Sequence, residues 1–76
     1  MTVDEPPDII AITSAIGEPA RARMLTALMD GRALTATELA LEAGVTASTA
    51  SSHLSRLRRA GLISLAAQGR HRYFRI

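Results

Sequence analysis

Residues 35–59 read TATELALEAGVTASTASSHLSRLRR, and this stretch decides the fold. Thr35-Ala36-Thr37-Glu38 is a capping box: the Thr35 hydroxyl can accept from the Glu38 amide, and the Glu38 carboxylate can reach back to the Thr35 amide. A helix is therefore expected to start at Ala36, with Leu39, Ala40 and Ala43 inward and Gly44 placed for a left-handed C-terminal turn. Thr46 is a good N-cap for the next helix, over residues 47–60, which spans about 21 Å at 1.5 Å per residue. Its inward stripe is Ala50, Leu54, Leu57 and Ala60; the opposite side carries Ser48, Thr49, Ser51, Ser52, Ser55, Arg56 and Arg59. Two short helices joined by a tight Gly44-Val45-Thr46 corner form a helix-turn-helix, the arrangement that presents its second helix to the DNA major groove.

The serines sharpen that expectation. Their hydroxyls compete with the helix backbone, so four on one helix are poor for intrinsic stability. On a face pressed against DNA they permit close approach and can bond phosphates or base edges. A helix face that is merely soluble would more often carry Glu and Lys.

Upstream, residues 8–16 (DIIAITSAI) are expected to form an opening helix. Ile9, Ile12 and Ile16 share one stripe and Ile10 stands off it, so the helix needs burial on more than one side. Ile9, Ile10, Ile12, Thr13 and Ile16 are the expected homodimer interface. A helix from Pro19 to about Met29 follows, ended by Asp30-Gly31, with Ala22, Leu25, Leu28 and Met29 inward and Arg21 and Arg23 in surface ion pairs.

Downstream the period changes to two. Residues 62–66 and 71–76 are expected as strands around a corner at residues 67–70, with Gly69 supplying the positive φ of a hairpin loop. On the second strand Arg72, Phe74 and Ile76 face one way and His71, Tyr73 and Arg75 the other. The fold class is thus α+β and mainly α: a winged helix-turn-helix of four helices followed by a two-stranded β-hairpin wing. Residues 1–7 are expected as a flexible tail and residues 8–76 as one domain.

Charge is segregated along the chain. Up to Ser55 seven acids face three Arg; from Arg56 onward there are six Arg and no acid. That distribution builds a positive end that attracts polyanions. Arg70 at the wing tip, with Arg72 behind it, can reach a phosphate or a narrow minor groove. The expected DNA-binding set is Thr46, Ser48, Thr49, Ser51, Ser52, His53, Ser55, Arg56, Arg59, Arg70 and Arg72. Double-stranded DNA is the expected partner. A second copy of the chain is the other, because a 76-residue domain buries only about 60% of its unfolded surface and is marginal alone.

Other function classes find little support. Cysteine is absent, which excludes disulfides, thiolate metal ligands and thiol redox sensing. His53 and His71 are the remaining soft ligands, too few for a transition-metal site without a carboxylate motif. His53 is expected to pack at the helix edge or bond a phosphate. The Thr35 cap explains Glu38 and solvent explains Glu42, so they are not a catalytic carboxylate pair. There is no Ser-His-Asp pattern and no Gly-rich phosphate loop, so we expect no enzyme, no cofactor and no metal. Residues 1–7 (MTVDEPP) are not signal-like and no apolar run reaches the roughly 20 residues of a membrane span, which points to the cytoplasm.

With these motifs in order, the chain resembles the ArsR/SmtB type of winged helix-turn-helix transcriptional regulators, the arsenic-repressor or metal-sensing family, over residues 15–76. AIGEPARARML at residues 15–25 is similar to the family's opening Leu-Gly-Asp-Pro-Thr-Arg and apolar helix. Glu38-Leu39-Ala40 matches its third helix, and STASSHL at residues 48–54 its recognition pattern Ser-Thr-Val-Ser-Arg-His-Leu. LRRAGLI at residues 57–63, Gly69-Arg70 and YFRI at residues 73–76 fit the stretch that follows and the wing. The resemblance implies a repressor that binds a palindromic operator as a homodimer.

The departures narrow what it implies. Where metal-sensing members carry Cys-x-Cys before the third helix, this chain has Thr35 and Thr37, which supply no thiolates. The resembling proteins also continue into a C-terminal helix used for dimerisation and a second metal site, and this sequence reaches only Ile76, which leaves the opening helix as the expected interface. Ala47 stands at a position often Gln and Ser52 at one often Arg. Direct base readout should therefore be weaker, with phosphate, wing and DNA-shape contributions larger. A winged-helix protein-docking module is the alternative, since fold does not fix function; a regulator gated by an effector not visible in the sequence is another.

Overall fold

A computed structural model describes residues 18–76. They form helix α1 (Pro19–Ala27), a 3₁₀ turn (Met29–Gly31), helices α2 (Ala36–Ala43) and α3 (Ala47–Arg59), and strands β1 (Ser64–Gln68) and β2 (His71–Arg75). The described residues therefore carry three α-helices rather than four. The opening helix expected at residues 8–16, with Ile9, Ile10, Ile12, Thr13 and Ile16, and the tail at residues 1–7 lie outside the described part.

Each helix starts where a side chain can satisfy its first amides. The Glu18 carboxylate accepts from the Ala20 amide at 3.2 Å and Pro19 occupies the first turn, where a missing N–H costs nothing. At α2 the capping box is complete: the Glu38 amide donates to the Thr35 hydroxyl at 3.2 Å, and the Thr35 amide donates to Glu38 Oε1 at 2.9 Å. At α3 the Thr49 amide donates to the Thr46 hydroxyl at 3.2 Å.

The corner between α2 and α3 is closed by backbone bonds. The Val45 amide donates to the Ala40 carbonyl at 3.0 Å and the Gly44 amide to the Leu41 carbonyl at 3.2 Å, the paired pattern of a Schellman stop. Gly44 sits at φ 70°, a left-handed conformation that a Cβ disfavours. Three residues thus end one helix and begin the next.

The core runs through all three helices and the wing. Met24, Leu28, Leu39, Leu54 and Leu57 are its largest fully buried side chains, with Ala40, Ala43, Ala50, Ile63 and Phe74 around them. The inward face of α2 is as the sequence indicates, and so is that of α3 at Ala50, Leu54 and Leu57; the helix ends at Arg59, and Ala60 is its half-buried C-cap. The inward face of α1 differs in part: Leu28 is buried as expected, but it is joined by Ala20, Met24 and Ala27, while Ala22 is exposed, Leu25 half-buried and Met29 57% exposed. This segment offers apolar residues at two helical phases, so periodicity alone could not choose between them. The helix also ends at Ala27 rather than near Met29, because the chain tightens into the 3₁₀ turn, where Asp30 takes φ 67°.

The wing is shifted relative to the sequence expectation. Strand β1 starts at Ser64 rather than Leu62, because the Leu62 amide is used to close α3 on the Leu57 carbonyl at 3.0 Å and Ile63 is buried in the core. Ala67 pairs with Arg72 and Gln68 with His71, which leaves a loop of only Gly69-Arg70. Gly69 has φ 63° at the first loop position, where a tight hairpin turn needs it. Beyond β2, Leu34 forms an isolated antiparallel bridge to Phe74: the Leu34 amide donates to the Phe74 carbonyl at 3.0 Å and the Phe74 amide to the Leu34 carbonyl at 2.8 Å. The bridge ties the wing to the residue just before the α2 cap.

Replacing Thr35 by Ala removes the acceptor that starts α2. The expected cost is about 1 kcal/mol, read from the midpoint shift in urea unfolding followed by circular dichroism. An unchanged midpoint would show that the cap is not needed.

Candidate nucleic-acid interface

Burial of Ala50, Leu54 and Leu57 turns the rest of α3 outward. Ser48, Thr49, Ser51, Ser52, Ser55, Arg56 and Arg59 are all exposed, as are Ala47 and Arg58. Over 13 residues this face is about 20 Å long, the dimension of a helix that can lie along a major groove. Arg56, Arg58 and Arg59 occupy its last turn, where positive charge also complements the carbonyl end of the helix dipole.

Thr46 is exposed at the other end with its hydroxyl committed to the helix start: it accepts from the Thr49 amide and donates to Thr49 Oγ1 at 3.0 Å. Arg70 is exposed at the wing tip. Arg72 lies on the same strand face as Phe74, as the alternation indicates, and lines a groove between α3 and the wing. That groove, of about 250 Å³, is bounded by Ser51, Ser55 and Arg58 of α3, by Arg72 of β2, and by Ala36, Leu54, Leu65 and Phe74.

His53 occupies the opposite flank of α3. It is half-buried, and its Nδ1 lies 2.9 Å from Nη1 of Arg21. Guanidinium has no acceptor, so Arg21 donates and the ring proton sits on Nε2. Arg21, expected on the surface, is only 8% exposed. The change of phase in α1 that buries Ala20 and Met24 carries Arg21 inward with them, and His53 supplies a hydrogen-bonding partner there. Among the described residues Arg23 has no ion-pair partner; its Nη1 donates to the Ala43 carbonyl at 3.5 Å, near the end of α2.

Two features of this surface are absent from the sequence reading. Arg58 follows Leu54 by four residues, so the helical period places it at the border of the buried stripe, and only the position of the wing makes that border one wall of a groove. The Arg21–His53 bond joins residues 32 apart, and no local pattern signals it. Among the described residues no three His, Cys, Asp or Glu side chains cluster as metal ligands, and no helix is long and apolar enough to cross a membrane.

Residues 16–66 match the model of a family described as a helix-turn-helix domain. Among solved structures, the ArsR family transcriptional regulator RHA00566 is 28% identical, covers 99% of this chain and 76% of its own, and superposes with a TM-score of 0.81. The chain belongs to the ArsR family of helix-turn-helix regulators. Another structure similar to this ArsR-family chain is the cadmium metal-sensor CmtR from Mycobacterium tuberculosis, 35% identical over 90% of this chain and 70% of that one, with a TM-score of 0.73. The uncharacterized HTH-type transcriptional regulator YdfF of Bacillus subtilis is 47% identical over 70 residues. The match covers 92% of this chain and 31% of YdfF.

In this ArsR-family chain the Arg21–His53 pair should hold the recognition helix against α1. Replacing His53 by Ala removes one hydrogen-bond partner of the buried Arg21, with an expected cost of about 1 kcal/mol. A double-mutant cycle of Arg21→Ala and His53→Ala in chemical denaturation should give a coupling of about 1 kcal/mol. Additive costs would show that the two side chains do not act together.

Proposed function

We propose that this chain is a sequence-specific DNA-binding transcriptional repressor that binds a palindromic operator as a homodimer, without the thiolate metal site of metal-sensing relatives. The observation that carries the reading is the outer face of α3: serines with short reach, an Arg-rich last turn, and a wing beside it bearing Arg70 and Arg72. Membership of the ArsR family supports the same reading.

The proposed contacts divide by chemistry. Ser48, Thr49, Ser51, Ser52 and Ser55 approach base edges and phosphates closely. Arg56, Arg59, Arg70 and Arg72 supply the electrostatic part, with Arg70 reaching the minor groove or the backbone beside it. Thr46 and His53 stand at the two margins: Thr46 offers its backbone end of the helix, and His53 leaves Nε2 for a phosphate while Nδ1 holds Arg21. Ala47 and Ser52 lack long donors, so backbone contacts and DNA shape carry a larger share of recognition than in a helix with Gln and Arg there.

Dimerisation is proposed through the opening segment, with Ile9, Ile10, Ile12, Thr13 and Ile16 as the interface. A single small domain reads only a few base pairs, and two-fold pairing places two recognition helices about 34 Å apart on successive major grooves. Thr35 caps α2 where a thiolate would stand in a metal-sensing member, which supports DNA binding that does not respond to zinc.

Fluorescence titration should show strong preference for a selected palindrome over random duplex; a preference of only a few-fold would sink the specificity. Each of Arg56→Ala, Arg59→Ala, Arg70→Ala and Arg72→Ala should flatten the slope of log affinity against log salt by about 0.9. Unchanged slopes in all four would remove these residues from the interface. Stoichiometric Zn²⁺ should leave operator binding unchanged, and its loss would restore a metal switch.

A further inference from the structure

The groove between α3 and the wing brings Ser51, Ser55 and Arg72 of the proposed contacts together with Arg58 and an apolar lining that those contacts leave unused. Its floor is apolar, formed by Leu54 and Phe74, both buried, with Leu65 and Ala36 half-buried beside them. Arg58 from the helix and Arg72 from the wing, both exposed, line the groove together with Ser51 and Ser55, and among the described residues no carboxylate does. Two cations and two hydroxyl donors beside an apolar floor suit one anion whose attached group is not strongly polar.

We infer that this groove is a clamp for a single DNA backbone phosphate, with Arg58 and Arg72 as its two jaws and the adjoining deoxyribose lying toward Leu65 and Phe74. The inference rests on the DNA-binding reading above and adds to it a residue, Arg58, and a shared site. Several observations favour a backbone phosphate as the occupant. Arg58 and Arg72 are exposed, while Leu54 and Phe74 of the same groove are buried. The groove opens between the outer face of α3 and the wing, so a strand edge followed by both elements passes over it. Arg presents a planar fork suited to bidentate phosphate contacts, and two forks from different elements can hold one phosphate from both sides.

The clamp also has a mechanical consequence. Arg58 belongs to the helix and Arg72 to β2, which is tied to Leu34 by two backbone hydrogen bonds. A phosphate held by both fixes the depth at which α3 enters the groove relative to the wing. Arg58 and Arg72 are in this sense positioning residues: they carry no base readout and set the register in which the serines meet the bases.

The test uses the full chain and a palindromic duplex obtained by selection, with two measurements. First, salt slopes are compared for the wild type, Arg58→Ala, Arg72→Ala and the double variant. A phosphate that needs both jaws gives about 0.9 for each single variant and about 0.9, not 1.8, for the double. Second, duplexes carrying one neutral methylphosphonate at successive positions are titrated. One position per half-site should weaken the wild type about tenfold and leave the double variant unaffected. Additive slopes, an unchanged slope for Arg58→Ala, or no position at which the two effects merge would overturn the clamp while leaving DNA binding intact. Binding by the wild type that shows neither sequence preference nor salt dependence would instead remove the DNA-binding reading, and the clamp with it.

Discussion

The rotation of α3 about its own axis is set by the burial of Ala50, Leu54 and Leu57, and the outer surface depends on that setting. The helix would not hold by itself: thirteen residues are marginal in water, and serine lies about 0.5 kcal/mol below alanine in helix propensity, so four of them cost about 2 kcal/mol. Burying one Leu side chain contributes about 1.5 to 3 kcal/mol, so Leu54 and Leu57 outweigh that cost between them. Packing therefore permits an outer face chosen for what it touches, without regard to helix propensity. The His53–Arg21 bond on one flank and the wing on the other steady the same rotation.

How much of this was legible in the sequence depends on whether the signal is local. The capping box at Thr35, the left-handed turn at Gly44, the Thr46 cap and the three-residue stripe of α3 all lie within one helical turn or a few, and each appears where the residues indicate. The α1 segment failed for a physical reason: Ala, Leu and Met occur at both candidate phases, and only the shape of α2 and α3 selects Ala20 and Met24. Leu34 could not be foreseen as a strand element, because a single residue has no period. The Arg21–His53 bond and the groove at Arg58 join distant parts of the chain, and residue types alone do not specify such meetings.

The distribution of charge takes on a definite meaning in three dimensions. Six arginines after Ser55 fall on the last turn of α3 and on the wing, elements that adjoin across one groove. Arg21 and Arg23, earlier in the chain, have been drawn into structural work: one bonds His53, the other the end of α2. The same residue type thus serves two purposes here, separated by where the core turns it.

The Leu34 bridge makes β2 the middle strand of the wing, flanked by Leu34 on one side and β1 on the other. The bridge grips β2 at Phe74, near its base, while Arg70 stands at the free end of the hairpin. Reach and anchorage are therefore separable. Adding one residue to each strand beyond the Ala67–Arg72 pair would carry the tip outward by about 3.4 Å while the base stays fixed, with the alternation of faces reversed at the tip; two residues per strand restore it at about 7 Å. The hairpin is an arm of adjustable length on a fixed shoulder, which allows the distance from major-groove helix to minor-groove tip to change without altering the core.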